Sequence, residues 1–160
     1  MRFWRIASDW PGRYSADDLT GGGARRAGAR WNAKGVPAVY ASYHLATAVL
    51  ESLAHIGNRR QPVVRYVVAI DVDDAVFSKA RTGVVEYTVD DLPVGWDVTP
   101  PVSASQLFGA AQFKRDRLGF AVPSILVHEE MNLVLNPLHS LFKKAVKSRI
   151  ERAFFFDSRL

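Results

Sequence analysis

Arg30, Tyr40, Glu51 and Ser124 are the side chains whose types best fit the chemistry of a ligand site. The guanidinium of Arg30 is a permanent cation whose forked N–H donors match phosphate oxygens, and Arg5 offers the same chemistry. The ring of Tyr40 can stack on a flat ligand, although large aromatics beside a strand more often belong to the core. Glu51 supplies a carboxylate. Ser124 lies among apolar residues, where a hydroxyl serves either the backbone or a ligand pocket.

The segment Gly28–Tyr40 brings a cation, large aromatics and an amide together by turn residues. Its glycines permit backbone conformations closed to other residues, and Pro37 stiffens the entry into the next element. We expect a loop that wraps a ligand and continues into a strand and a helix. Trp31 and Asn32, directly after Arg30, are therefore candidate substrate-binding residues, and a core role for Trp31 is the alternative.

Glu51 belongs to a helix predicted over residues 43–56, which Gly57 and Asn58 are expected to end. The apolar residues at helical spacing form its expected buried stripe: Leu45, Val49, Leu53 and Ile56. On a wheel of about 100° per residue, Glu51 lies nearly opposite that stripe, where a glutamate is normally solvated. Its neighbours on that face are small: Thr47, Ala48 and Ala54. This pattern indicates the wall of a cleft. His55, one turn further on, can hydrogen-bond to Glu51 or interact with the helix dipole.

The other predicted elements mix strands and helices without a regular β-α-β alternation. Strands are predicted over residues 3–6, 36–41, 63–72, 83–89, 120–127, 131–135 and 154–156. A second helix is predicted from 103 or 105 to 117, and a third over the basic segment 140–152. The second helix is expected to turn four residues inward: Leu107, Phe108, Ala111 and Phe113. Residues 15–29, rich in Ser, Asp, Thr and Gly, are expected to form a mobile loop.

This mixture predicts an α+β fold with a mixed, mostly antiparallel sheet and a few helices. The 160 residues contain no internal repeat and no interdomain linker. We therefore expect one domain over residues 1–160, which is long enough to bury a hydrophobic core.

The composition excludes several classes of site. There is no cysteine, which rules out disulfides, thiolate catalysis and cysteine-based metal sites, and fits a reducing cytoplasm. Apolar and charged contents of 48% and 23% are those of a soluble globular protein. No apolar run approaches the ~20 residues of a membrane span, and no apolar secretory segment follows the first basic residue. We expect a cytoplasmic protein without a membrane partner.

The net charge of +5 and the pI of about 9.7 favour an anionic partner, but the cations are scattered apart from residues 143–149. The sequence contains no P-loop, no G-x-G-x-x-G after a strand and no H-E-x-x-H. The four histidines lack metal-like spacing, so no metal is expected. Ser124, in Val-Pro-Ser-Ile, does not lie in a nucleophile elbow.

The residues around these groups resemble the RES domain family, the toxins of RES–Xre toxin–antitoxin pairs. The arginine, glutamate and serine that name the family match Arg30 in Gly-Ala-Arg-Trp-Asn-Ala-Lys-Gly, Glu51 in Leu-Ala-Thr-Ala-Val-Leu-Glu and Ser124 in Val-Pro-Ser-Ile. Phe-Trp-Arg-Ile at the start, Val-Tyr-Ala-Ser before the helix, Met-Asn-Leu-Val-Leu-Asn-Pro and the terminal Phe-Phe-Asp-Ser-Arg-Leu also fit. The match covers nearly the whole chain in order.

The resemblance implies an NAD⁺-consuming enzyme with a fold similar to that of ADP-ribosyltransferases. Members of the family degrade NAD⁺ by phosphorolysis or hydrolysis, and some transfer ADP-ribose to a protein. NAD⁺ would be the substrate, and no prosthetic group is implied. The implied partner is an Xre-like antitoxin that blocks the active-site cleft and carries the contact with DNA, so direct nucleic-acid binding by this chain is not expected.

The residues suit that reaction. Loss of nicotinamide leaves a ribose with oxocarbenium character, which a nearby carboxylate stabilises, and we assign this role to Glu51. Arg30, with Arg5, would hold the pyrophosphate, while Tyr40 would stack near the nicotinamide. Ser124 would hydrogen-bond to the nicotinamide-ribose end. The attacking group would be phosphate, water or a protein side chain.

Three alternatives stay open. The first is transfer of ADP-ribose to a cellular protein, although residue 49 is valine, so the second glutamate of a Glu-x-Glu pair is absent. The second is an RNA-acting toxin, which would need basic residues interleaved with aromatics on one face. The third is a binding module that keeps the pocket without catalysis.

Overall fold

A computed structural model of the chain describes residues 1–56, 64–157 and 159. Its strands, in chain order, are β1 (Arg2–Ser8), β2 (Val39–Ser42), β3 (Arg65–Val72), β4 (Val84–Glu86), β5 (Gly119–Pro123), β6 (Met131–Leu135) and β7 (Val146–Phe154). Its helices are α1 (Gly22–Ala27), α2 (Leu45–Ile56), α3 (Asp74–Phe77), α4 (Ser103–Lys114) and α5 (Phe142–Ala145), with a 3₁₀ turn at Val89–Asp91. No described helix is long and apolar enough to cross a bilayer.

The strands form one seven-stranded sheet in the order β4-β5-β6-β2-β1-β3-β7. All neighbouring strands run antiparallel except β4 and β5, which are parallel. The predicted α+β class with a mixed, mostly antiparallel sheet is therefore confirmed.

One face of the sheet carries the larger hydrophobic core. Phe3 of β1 lies opposite Ile70 of β3 in the strand register, and both are buried. Alternation along β3 directs Val68, Ile70 and Val72 to this core, as the sequence pattern predicts. Helices α3 and α5 cover the core with Phe77 and Phe142.

The opposite face carries a smaller aromatic core at one end and helix α2 at the other. The aromatic core contains Trp31, Trp96 and Phe120. Helix α2 packs on β1 and β2. The polar side chains of Ser42 on β2 and Asn132 on β6 lie between the aromatic core and helix α2, so the candidate site is on this face.

Helix α2 confirms the predicted helix, but it buries a different side. Its buried residues are Thr47 and Ala48, whereas the predicted apolar stripe is only half-buried and Leu50 is exposed. The small residues let the helix approach the sheet closely, and this turns Glu51 toward the sheet instead of solvent. The predicted helix stop at residues 57 and 58 lies outside the described residues.

The predicted helix over residues 140–152 is wrong. Only Phe142–Ala145 is helical, and Val146–Phe154 forms the edge strand β7. Val146 and Ile150 are spaced like a helical stripe, but both pair with β3, opposite Val72 and Val68. Pairing with the buried edge of β3 overrides local helix propensity.

The predicted loop over residues 15–29 is also wrong in part, because α1 forms within it. Helix α1 follows Gly21, which has φ 69°, and a Cβ at this position would lie 2.7 Å from the backbone nitrogen of Ala38. Gly21 therefore allows close packing on the residue before β2.

Three smaller predictions also differ from the structure. Leu107, expected to face inward on α4, is 69% exposed, while Phe108 and Phe113 pack on the aromatic core as predicted. Strand β5 ends at Pro123, short of the predicted 127. The last strand ends at Phe154 instead of spanning 154–156.

Candidate active site

A cavity of about 570 Å³ opens on the second face of the sheet, between α2 and the loop that follows α1. Strands β1, β2 and β6 form its floor, and α2 forms one wall. Besides Arg5 of β1, seven of the predicted or newly found polar and aromatic residues line it: Arg30, Trp31, Tyr40, Ser42, Glu51, His55 and Asn132. Arg30 and Glu51, distant in sequence, therefore share one cavity.

The two oxygens of the Glu51 carboxylate have different surroundings. Oε1 accepts hydrogen bonds from the Ser124 hydroxyl at 2.8 Å and from the Asn132 amide at 2.5 Å. Oε2 has no hydrogen-bond partner within the described part of the chain. The carboxylate is thus fixed through one oxygen, and the other is available to a ligand.

Ser124 lies behind Glu51 and is fully buried. Its hydroxyl donates to Glu51 and accepts from the backbone N–H groups of Leu126 and Val127, at 3.1 and 3.4 Å. It does not line the cavity. The predicted hydrogen bond from Ser124 to the ligand is therefore replaced in the structure by a hydrogen bond that positions Glu51.

Asn132 and Ser42 were not predicted as site residues. They lie opposite each other in the register of β2 and β6, and the Ser42 hydroxyl donates to the Asn132 side-chain oxygen at 2.6 Å. This bond directs the Asn132 amide toward Glu51. The sequence held one signal for Asn132 as a site residue: it is the polar residue in the otherwise apolar run Met131–Leu135.

The loop from Ser124 to Glu130 is tied to helix α2 by one carboxylate. Glu130 accepts hydrogen bonds from the Thr47 hydroxyl at 2.7 Å and from His44 Nδ1 at 2.6 Å. These hydrogen bonds, that of Thr47 first, hold the pKa of Glu130 below its ordinary value. The loop that carries Ser124 is thereby anchored to the helix that carries Glu51.

Arg30 is held from the side opposite Glu51. Its Nη1 donates to the carbonyl oxygens of Trp96 and Val98, at 2.5 and 2.8 Å, and its Nη2 lies 3.3 Å from the Thr99 hydroxyl. Partial burial lowers the pKa of Arg30, and the charge of Glu51 partly offsets this effect. Nε and one hydrogen of Nη2, the lateral edge of the guanidinium, have no partner among the described residues.

Arg5 of β1 is the second predicted cation. Its Nη2 donates to the carbonyl oxygens of Ala16 and Asp18, at 2.6 and 2.8 Å. Its buried Nε has no hydrogen-bond partner among the described residues. Burial lowers the pKa of Arg5. In the strand register Arg5 lies opposite Val68, so its side chain points to the larger core on the other face, and only its backbone borders the cavity. Its terminal nitrogen Nη2 holds the backbone of residues 16–18 instead of facing a ligand.

Tyr40, Asn32 and Trp31 form a connected wall. The Tyr40 hydroxyl donates to Asn32 Oδ1 at 2.7 Å and accepts from the Trp31 backbone N–H at 3.2 Å. Burial strongly raises the pKa of Tyr40, which stays a neutral donor. The indole of Trp31 is buried and stacks on Trp96, with ring centroids 6.2 Å apart.

Asn32 does not line the cavity. Its amide donates to three backbone carbonyls of the surrounding loop, those of Ala24, Ala33 and Val36. It is 1% exposed. The predicted substrate contact of Asn32 is therefore corrected: this residue shapes the loop and orients Tyr40.

His55 lies on the exposed rim of the cavity. Its Nδ1 donates to the backbone carbonyl of Glu51 at 2.8 Å, and the Glu51 carboxylate makes its contacts elsewhere. The predicted alternatives were a hydrogen bond to Glu51 and an interaction with the helix dipole. The structure shows a hydrogen bond to Glu51, made to its backbone carbonyl and not to its carboxylate.

Comparison with known proteins identifies the family of the chain. The RES domain model matches residues 2–157. A protein of Sphingobium sp. named "Prs ADP-ribosylating toxin" is 43% identical over 160 residues, which are 99% of this chain and 95% of that protein. A "Toxin Res" of Yersinia enterocolitica is 33% identical over 149 residues, 92% of this chain and 93% of the relative.

A solved structure has the same fold. It is the crystal structure of the M. tuberculosis MbcT–MbcA toxin–antitoxin complex, with a TM-score of 0.70 and 20% identity over 96% of this chain and 82% of that one. The family match and the two relatives extend over nearly the whole chain. This chain therefore belongs to the RES domain family.

Proposed function

We propose that the chain is a toxin that binds NAD⁺ in the cavity, cleaves the bond between nicotinamide and ribose, and transfers the ADP-ribosyl group to phosphate or water. The observation that carries the proposal is the placement of the Glu51 carboxylate and the Arg30 guanidinium on one cavity of about 570 Å³. A cavity of this volume falls within the range of small-molecule and cofactor sites.

Glu51 would act on the reacting sugar. As the C–N bond breaks, its electron pair leaves with the pyridinium nitrogen, nicotinamide departs neutral, and positive charge develops on the ribose. The free oxygen Oε2 of Glu51 can stabilise that charge, while Ser124 and Asn132 hold Oε1 in place. A carboxylate that is already oriented needs little reorganisation during the reaction.

Arg30 would bind the pyrophosphate of NAD⁺. Its Nη1 donors are fixed on Trp96 and Val98, so the guanidinium is oriented before the substrate arrives. The lateral edge, formed by Nε and the Nη2 hydrogen that no described residue accepts, is the edge that binds two phosphate oxygens at once. Arg5 would act indirectly, by holding the backbone of residues 16–18 on the other face of β1.

Tyr40 would form the flat wall against the nicotinamide. Its hydroxyl is engaged by Asn32 and Trp31, which fixes the plane of the ring. A fixed aromatic plane favours stacking at a low cost in conformational entropy. His55, at the rim, would contact the bound dinucleotide from the α2 side.

A second acceptor, a cellular protein, is favoured by one observation. The Sphingobium relative that shares 43% of its residues with this chain is named for the ADP-ribosylation of Prs. The same oxocarbenium step would serve a protein nucleophile that enters the cavity after nicotinamide has left. Val49, where a Glu-x-Glu pair would place its first carboxylate, gives no second acid next to Glu51 for activating such a nucleophile.

The activity would be controlled in the cytoplasm by a cognate Xre-like antitoxin that covers the cavity. Two observations support a partner of this kind: relatives named Toxin Res and a neighbour in fold that was solved as a toxin–antitoxin complex. A covered cavity would keep NAD⁺ out and leave the toxin folded.

Incubation of the purified protein with NAD⁺, with and without inorganic phosphate, tests the proposal. We expect nicotinamide release, with ADP-ribose-1″-phosphate formed in the presence of phosphate and ADP-ribose in its absence, both identified by mass. A mass increase on an added protein would establish the second acceptor. Unchanged NAD⁺ under all conditions would refute NAD⁺ cleavage. If the protein bound NAD⁺ without cleaving it, it would be a non-catalytic binding module.

A further inference from the structure

A second concave surface is lined by residues of helix α1 and of the loops on either side of it. It has a volume of about 630 Å³, and its cationic lining residues are Arg13, Arg25, Arg26 and Lys34. We refer to these four residues as the basic depression. They are scattered in the sequence, and helix α1 with its flanking loops brings them together.

The positive charge of the basic depression is not neutralised within the described part of the chain. None of its four cations takes part in an ion pair there. The single acid that lines the depression, Asp18, accepts hydrogen bonds from the backbone and hydroxyl of Thr20. Four cations around one hollow create a positive potential that selects an anionic partner.

Two of the cations are held in place by aromatic rings. The guanidinium of Arg26 lies 4.4 Å from the centroid of the Trp10 ring, and that of Arg13 lies 4.9 Å from it. Arg26 also lies 5.8 Å from the ring of Tyr14. Cation–π contacts restrict these long side chains. A partner therefore meets oriented donors, at a lower entropic cost than flexible ones would impose.

The basic depression adjoins the NAD⁺-sized cavity. Arg5 of β1, whose backbone borders that cavity, donates from the other face of the strand to the carbonyl oxygen of Asp18, a residue of the depression. Helix α1, which carries Arg25 and Arg26, ends at Gly28, a residue of the cavity wall. A chain bound in the depression therefore lies next to the mouth of the active site.

We infer that the basic depression is a docking site for an acidic segment of a partner protein. Its extent fits a few carboxylate-bearing residues, and forked guanidinium donors match carboxylates. Single-stranded nucleic acid needs free aromatic faces for its bases, but the rings of Trp10 and Tyr14 are already in contact with arginines. Charge complementarity thus favours an acidic protein segment.

The test measures binding of a fluorescein-labelled hexaglutamate peptide by anisotropy, beside a hexaglutamine peptide and a thymidine hexanucleotide of the same length. The test variant is Arg25→Glu with Lys34→Glu, because neither side chain packs on an aromatic ring. The control is Lys143→Glu with Lys144→Glu, which changes the charge equally at two exposed neighbouring lysines. Circular dichroism confirms that each variant is folded.

We expect the wild type to bind hexaglutamate in a salt-dependent manner and not to bind hexaglutamine. The test variant should weaken binding at least about tenfold, since two attractions become repulsions, and the control less than about twofold. Equal weakening by both variants, no binding of hexaglutamate, or displacement of the peptide by the oligonucleotide at lower concentration would each overturn the inference.

Discussion

Glu51 is held by two neutral donors on the same oxygen, and these donors come from different strands and loops. Asn132 reaches it from β6 and Ser124 from the loop after β5. Neither donor carries a charge, so the carboxylate keeps its full negative charge for the reacting sugar. The orientation of Glu51 therefore depends on residues whose substitution should alter turnover without removing the acid itself.

The replacement Asn132→Asp tests this arrangement through pH. It places a second carboxylate where the amide now lies, 2.5 Å from Glu51 Oε1. Two carboxylates at that distance share a proton up to higher pH than one does. We predict that the acid limb of the kcat–pH profile moves upward by roughly one pH unit or more.

Asn132→Ala is the matched control for this replacement. It should lower kcat and move the acid limb upward by less than Asn132→Asp does, because it removes a donor to the carboxylate but adds no titrating group. An acid limb that does not move in Asn132→Asp would show that this amide does not orient the catalytic carboxylate.

The replacement Ser124→Ala tests the second donor. The hydroxyl is buried and serves Glu51 as well as two backbone N–H groups, so its loss should lower the free energy of unfolding by about 1–3 kcal/mol. We expect kcat to fall about tenfold with KM nearly unchanged, since the serine does not line the cavity. Ser148→Ala removes a hydroxyl–carbonyl bond on β7 and should keep full turnover. A raised KM with normal kcat in Ser124→Ala would instead indicate direct substrate contact.

At the scale of residues, the sequence identified site residues where the chemistry of the side chain and the types of its neighbours both indicated a ligand site. Arg30 and Glu51 could be selected because a forked cation in a glycine-flanked loop and an acid among small residues are both unusual. Asn132 and Ser42 could not, because only the strand register places them opposite each other. Asn32 was selected for its position beside Arg30, yet its amide faces the backbone.

The loop over residues 124–130 and helix α2 act as a pair through Glu130. Because the pKa of Glu130 lies below its ordinary value of 4.5, its contribution to stability is complete above that value and is lost as pH falls through the lower value of the folded state. We predict that the stability difference between the wild type and Glu130→Gln, measured by urea unfolding, is constant near neutral pH. The difference should shrink below about pH 4.5. A difference that persists unchanged to pH 3, or none at pH 7, would contradict this coupling.

Helix α4 touches the site loop through a glycine. A Cβ at Gly109 would lie 2.0 Å from the Trp31 carbonyl oxygen, so the backbone of the loop would have to move. We predict that Gly109→Ala costs about 1–3 kcal/mol or more and raises the KM for NAD⁺, because the displaced loop carries Arg30. Thermal unfolding and initial rates measure the two effects.

Gly23→Ala provides the contrast for this prediction. Outside its chain neighbours and the backbone of its own helix, no described atom lies within 4 Å of a Cβ at Gly23, and alanine is the better helix former within α1. This variant should be as stable as the wild type or slightly more stable, with unchanged KM. Similar losses in both variants would mean that the close contact of Gly109 with Trp31 is not what positions the loop.

At the scale of elements, α2 and β3 were predicted because each has a clear period in its own sequence, and β6 because it is a short, mostly apolar run. Strand β7 was not, because Val146 and Ile150 fit a helical period and the decisive interaction, pairing with β3, is not local. The face of α2 was misjudged for a related reason. Hydrophobic periodicity predicts that the apolar face of α2 is buried. In the structure the face with small side chains, Thr47 and Ala48, packs closely on the sheet and is buried instead.

In the whole molecule, the residues that stabilise the fold and those of the candidate site lie on opposite faces of one sheet. The larger core fills one face, and the cavity lies on the other, between α2 and the aromatic core. The fold class could be predicted because mixed elements without β-α-β alternation leave few other arrangements. The basic depression could not be predicted, since its four cations meet only in three dimensions.

Turnover and binding by Glu51→Gln test the central claim most directly. The amide keeps the size of the side chain and can still accept from Ser124 and Asn132, but it cannot supply negative charge to the reacting ribose. We predict that NAD⁺ binds to this variant with near wild-type affinity by calorimetry, while nicotinamide release falls on the order of a hundredfold or more. Nicotinamide release at the wild-type rate would contradict the assignment of Glu51.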